Sequence, residues 1–572
     1  MDLKIPLPFK ACLFDEEMKN PVDYLAGIPR SFLIKTAILF LSYKIHDSKY
    51  DTLLGFMDGF FCSANKPFAE RILSNISIFE EKKDSRKLGV RDYGIHQRLA
   101  DLELLKIVFN ESKEEGEVTS SNIKNIEIKI FKAYVAINQI VLEQSNKVQP
   151  PKIVDKPVDI AKFFFLINLN SFDLNNYNLL KVIITQYYKG CLFMKFLNDK
   201  VETKELLNDF IYYYDVESIE KYVSFLSVVH LKLVQNNMIT NVDFDDSKLL
   251  DFYKKHSISM LSKMSQIDYN NIRSFPLVTD IDKKRVTVVD SLLTAEMFYN
   301  GFYFRLKKIN NELAKGKLDL LRLKTHEFSE NLLFRTTLKS IFGNKYIQFS
   351  GDEIDNLMNG GVDYYVRNGN KVFLFESKDI FLSSKAKVSL DEDTVLEEIK
   401  AKLFYDSSKS KDKGILQIRN FIEKLVNKKI DFDQNYKVKS INIYPILVIH
   451  NRIFNIPGFN LILQELFQEA CDKKLGFDKT KINPLVVIDI DTLIFNREFF
   501  ESGKLSFEKV LKDYSREILI PAFIPTKNIS RKKFEEKIIS FSHYLERKTV
   551  NMERHQFPDF IAETAKDILP KD

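Results

Sequence analysis

The chain's 572 residues are 45% apolar and 29% charged, a composition that folds into globular domains and excludes a disordered protein. That length exceeds what one hydrophobic core supports, so two to four domains are expected. The formal charge of +6 is close to balance for so long a chain; it permits a nucleic-acid partner without arguing for one.

The N-terminus, Met-Asp-Leu-Lys-Ile-Pro-Leu-Pro, lacks a signal-peptide pattern. The most apolar segment, 32–43, is short and contains Lys35, so no membrane span is expected. The cysteines at 12, 62, 191 and 471 form no Cys-x-x-Cys pair, which suits free thiols in a reducing cytoplasm. No histidine stands four residues from another, so nothing suggests zinc. The stretch 31–44 is apolar nearly all round, which suits a buried helix, and helical periodicity covers 68–79 and 95–109. Ile123, Ile126, Ile130, Ala133, Ile137 and Ile140 then mark one face of a long helix, with Ser120 or Ser121 as its cap. Gln149-Pro150-Pro151-Lys152 reads as a linker closing a first helical region, 1–148.

A second helical region, 152–320, is expected from helical patterns at 176–198, 203–213, 216–235, 247–264 and 291–313. Asp245 and Asp246 miss the calcium-loop pattern and read as solvated or capping residues. Together the two regions read as an all-α scaffold that positions or restrains the second half of the chain. They leave room for a homo-oligomer or a protein partner.

From 321 the pattern changes. A helix over 324–342 ends at Gly343, a suitable C′ residue, with Leu333, Thr337, Leu338 and Ile341 facing a core. Glu327 and Glu330 share one flank of it. A strand over 345–349 comes next. Two β-prone runs, 362–366 and 372–375, then flank Asn368-Gly369, the strongest short-range hairpin signal. With those two residues as the loop, Arg367 faces Asn370 and Asp363 faces Leu374. Asp363, Glu376 and Lys378 then share one face, with the carboxylates as a diagonal pair roughly 7–8 Å apart at Cα. A three-residue loop would set Asp363 opposite Phe375 and flip the face. Charges where buried residues otherwise sit are costly unless they serve each other, a metal or a phosphate.

At these residues the chain resembles the PD-(D/E)xK (restriction-endonuclease-like) phosphodiesterase superfamily. Asp363 matches the motif aspartate, and Glu376-Ser377-Lys378 matches the (D/E)xK tripeptide, with Val362 in place of the motif proline. The resemblance covers about 321–497. It implies a nuclease using Mg²⁺ or Mn²⁺ held by Asp363 and Glu376, the hard ions that carboxylate oxygens favour. Glu330 is a further metal ligand in this reading, and Lys378 orients the attacking water. Gln417 and Phe421 resemble the Gln-x-x-x-Tyr of RecB-like members, with Phe421 replacing the tyrosine, which makes Gln417 a fourth catalytic candidate.

Lys409, Lys411 and Lys413 precede a helix starting near Gly414 and are candidates for contact with nucleic acid, DNA rather than RNA. Strands at 441–449 and 485–488 enclose a helix over 458–473, and Pro445 places part of the first at an edge or bulge. Asp489 and Asp491 read as capping or turn residues. A helical extension, 501–572, carries a mildly basic stretch at 527–554. The fold class expected is thus α+β and multi-domain: a large all-α N-terminal region, an α/β restriction-endonuclease-like core (321–500) with a mixed central sheet, and a helical tail. The expected function is metal-dependent cleavage of nucleic acid, in a defence or restriction setting by analogy. The alternative is a non-catalytic nucleic-acid-binding or interaction scaffold on a degenerate core.

Overall fold

The computed structural model describes residues 5–46, 52–82, 89–119, 122–151, 156–169, 172–235, 241–261, 264, 270–312, 318–474, 481–520, 536–553, 560 and 563. Ser120, Ser121, Lys152 and, from the basic stretch 527–554, residues 527–535 and 554 lie outside them. Among the described residues no helix is long and apolar enough to cross a membrane.

The fold is mixed α and β, in two compact units that each draw on two separate stretches of chain. Met1–Lys147 joins Asn208–Leu306, and Val148–Leu207 joins Lys307–Lys571. The first boundary falls at the double-proline linker. The block expected at 152–320 is divided between the units, because its helices are sorted by the apolar faces they meet and not by their order in the chain. Helix α1 (Pro157–Asn168) stacks Phe165 on Phe459, ring centres 5.3 Å apart. Helix α2 (Leu179–Asp199) sets Phe193 against Phe328 at 4.7 Å. Both therefore belong with the C-terminal half.

In the first unit, helices Arg30–His46, Lys66–Glu81, Arg98–Glu111 and Ile123–Ser145 lie where the sequence places them. Ile126, Ile130, Ala133 and Ile137 are buried, so that stripe is core. Arg98 bonds to Asp290, tying together the two stretches of this unit. The N-terminal region is not all-α, contrary to expectation. Asn241–Asp243, Leu277–Asp280 and Arg285–Val288 form a three-stranded antiparallel sheet, and Ile5–Pro6 pairs in parallel with Tyr93–Gly94. These strands have two to four residues and bury at most two apolar side chains each, too few for an alternation to stand out in sequence.

The second unit is built on a five-stranded sheet in the order β5-β4-β3-β2-β1: β1 (Ile347–Ser350), β2 (Tyr364–Asn368), β3 (Lys371–Lys378), β4 (Asn442–Ile449) and β5 (Val486–Asp489). β1, β2 and β3 run antiparallel; β3, β4 and β5 run parallel, so the sheet is mixed. β4 is internal, but β5 pairs with it only from Ile446 onward, so Pro445 falls on the part of that flank that β5 leaves open. Both faces are covered. Tyr365, Val372, Leu374 and Leu447 pack in one core with the helices Glu392–Leu403, Gly414–Val426 and Phe459–Lys474. On the other face Phe375 lies near Phe334, Phe342 and Phe507.

Candidate metal centre

The hairpin closes one residue later than Asn-Gly chemistry suggests. Asn368 pairs with Lys371, leaving Gly369-Asn370 as the loop. Positive φ is confined to Gly369 (+58°), the first loop position, where a type II′ turn wants glycine. The expected pairing of Asp363 with Leu374 is thereby corrected: Leu374 faces Tyr365, and extending the register brings Asp363 opposite Glu376. The loop keeps two residues, so the pairing moves by a whole pleat repeat and the face is preserved. Asp363, Glu376 and Lys378 lie together at the end of β2 and β3. The Ser377 N–H donates to Asp363 Oδ2 at 2.7 Å. Lys378 Nζ donates to Glu376 Oε1 at 2.6 Å and stands 3.7 Å from Asp363 Oδ2.

Glu376 is fully buried, and its Oε2 is enclosed without a hydrogen-bond partner. Burial, with the Asp363 charge added, pushes its carboxyl pKa up to about 8. Burial works against the Lys378 charge, yet Glu376 and Asp363 outweigh it and hold the ammonium pKa above the ordinary lysine value. A Cβ at Gly414 would crowd Leu447 Cδ1 at 3.1 Å and meet Lys378 Cε at an ordinary contact distance of 3.6 Å. Among the described residues no three His, Cys, Asp or Glu side chains already stand grouped to hold a metal ion. The residues nonetheless fit a hard divalent cation. They offer carboxylate oxygens only, one of them buried and unsatisfied, and the Lys378 ammonium now supplies the positive charge this spot requires.

Glu330 rides on a long helix built of Leu320–Arg322, a π-helical stretch Leu323–Phe334, and Arg335–Phe342, which ends at Gly343 with φ +55°. Leu333, Thr337, Leu338 and Ile341 are buried, as their spacing predicts. Burial, followed by the charge of Asp363, raises the Glu330 pKa, and His326 Nδ1 lies 3.3 Å from its Oε2. Glu327 does not share that flank; it bonds to Lys200 and Arg322 instead. The π turn, wider than an α turn, separates residues three apart.

Gln417 is half-buried in the wall of an open depression of about 660 Å³, with Gly360 and Gly361 just ahead of Asp363 and with Lys411, Asn420 and Lys424. Phe421 is not beside it in the depression; it is core, packed near Tyr365 and Phe432. Lys409 and Lys411 are exposed, whereas Lys413 is half-buried, 3.6 Å from Asp406 Oδ2. Asp489 caps the helix Ile490–Phe495 and Asp491 pairs with Lys189 at 2.6 Å, so the capping reading of the first holds. Sequence reasoning missed His326, four residues before Glu330 and so on the same α-helical face, and Arg335, five residues after it and off that face. In comparison with known proteins, the chain matches no protein-family model, no curated protein and no solved structure.

Proposed function

We propose that the chain is a metal-dependent nuclease of the kind its Asp363 and Glu376-Ser377-Lys378 pattern resembles, with Mg²⁺ or Mn²⁺ held by Asp363 and Glu376 and assisted by Glu330. The observation that carries this reading is the fully buried Glu376 with an unsatisfied oxygen, beside a second carboxylate and an ammonium. A lone buried acid is costly, and one retained near the end of the central strand with two charged neighbours points to use in binding or chemistry. When bound, a divalent cation there offsets charge on a scissile phosphate and makes water acidic enough to attack at neutral pH. Asp363 is oriented for that duty by the Ser377 N–H. Lys378, released from Glu376, is placed to orient the attacking water and to stabilise charge developing on the phosphate. DNA is the favoured substrate in this reading.

The test is digestion of single- and double-stranded DNA and RNA with Mg²⁺, Mn²⁺ or chelator. Wild-type protein should cleave at least one of them, only with the ion. Lys378→Ala should lose about 10²–10⁴-fold in rate while keeping its fold. Asp363→Asn should also be inactive, and partly recover at higher Mn²⁺. The competing reading, a binding or interaction scaffold, draws on the Lys378 ammonium that already neutralises the acids. It requires no cleavage under any condition and a marked loss of stability in Lys378→Ala.

A further inference from the structure

Arg335 is the first α-helical residue after the π-helical stretch Leu323–Phe334. Hydrogen bonds from i to i+5 stack residues four to five apart. In an α-helix at 3.6 residues per turn, positions five apart would diverge by about 140°. The π register therefore brings His326, Glu330 and Arg335 toward one flank. Arg335 bonds to Asp352, while its Nε is enclosed and makes no hydrogen bond. Asp352 follows Gly351, whose N–H donates to the Asp363 carbonyl at 2.8 Å. A Cβ at Gly351 would sit 3.3 Å from Asp363 Cα, so the backbones touch. The Asp352–Arg335 pair is thus pinned next to the motif aspartate. The Asp352 hydrogen bond, and behind it the charges of Glu330 and Asp363, hold the guanidinium pKa above its ordinary value against the cost of burial.

The two partners differ in exposure: the Arg335 side chain is 16% accessible and that of Asp352 63%. With its carboxylate end in water, the pair holds Arg335 loosely enough for another anion to take the place of Asp352. A phosphodiester group presents two anionic oxygens that suit the planar fork of a guanidinium. From this arrangement, and resting on the nuclease reading of the adjoining centre, we propose that Arg335 is a substrate-binding residue that grips the nucleic-acid phosphate beside Asp363, with Asp352 as the partner it leaves.

The test compares Arg335→Gln, Arg335→Lys and Asp352→Asn in the full-length chain. Binding of labelled single- and double-stranded DNA and RNA oligonucleotides is measured in chelator across a salt series, and cleavage with Mn²⁺. Arg335→Gln should weaken binding about tenfold irrespective of base sequence and lower the slope of log affinity against log salt by about one. It should also slow cleavage, and Arg335→Lys should restore part of both. Asp352→Asn should bind at least as tightly as wild type. A purely structural pair predicts the reverse pattern, since both variants break the same bond: equal losses in Arg335→Gln and Asp352→Asn overturn the proposal. So does wild-type binding and cleavage in Arg335→Gln. If wild-type protein neither binds nor cleaves any of the four substrates, the nuclease reading itself fails and takes this one with it.

Discussion

Glu376 meets the solvent nowhere, and one of its oxygens bonds to nothing. Its carboxyl titrates near 8, raised by burial and then by Asp363, against about 4.3 in an unfolded chain. Between those values the folded protein keeps a proton that the unfolded chain has released. The resulting stabilisation is whole below the unfolded pKa and is lost as pH rises through about 8. Glu330, also raised, acts in the same direction. In chelator, the melting temperature of wild-type protein should therefore fall from about pH 5 to pH 8, and Glu376→Gln should flatten most of that fall. Adding Mn²⁺ at pH 8 should raise the melting temperature of wild type and leave Glu376→Gln almost unmoved. A wild-type curve as flat as that of Glu376→Gln would mean the carboxyl is not strained by its surroundings.

At the scale of the element, the hairpin between β2 and β3 determines which face carries the acids. Its positive φ falls on Gly369, where nothing lies within 4 Å of a hypothetical Cβ, so only backbone strain opposes a side chain there. Gly369→Ala should cost about 1 kcal/mol or somewhat more in urea denaturation, and Asn368→Ala less than about 0.5 kcal/mol. A large cost at Asn368 instead would put the turn at Asn368-Gly369. The hairpin and its acid face were legible because alternation and turn chemistry act over a few residues. The turn position was not, since Asn-Gly and Gly-Asn both satisfy a two-residue loop and the rest of the sheet selects between them. Glu330 was legible as a helix carboxylate near the motif, but Arg335 was not. Its approach depends on the π register, which no residue pattern in this stretch marks. The short strands of the first unit escaped for the opposite reason: each is too brief to leave a pattern.

Across the whole molecule, the sheet bearing the acids depends on residues far upstream. α1 and α2 pack Phe165 and Phe193 against helices of the same unit, and Lys181 of α2 bonds to Thr492, Ser542 and Glu546. A fragment of residues 321–500 should therefore show no cooperative melt by circular dichroism, although it contains every motif residue. A sharp transition in that fragment would show that the upstream helices are dispensable. Because the units take turns along the chain, their order of completion during synthesis is also set. The stretch 1–147 waits for 208–306 before its core can close, and 148–207 waits in turn for the chain beyond 307. At roughly 5–20 residues per second, the hundred-residue interval is about 5–20 s during which the apolar faces of α1 and α2 have no permanent partner.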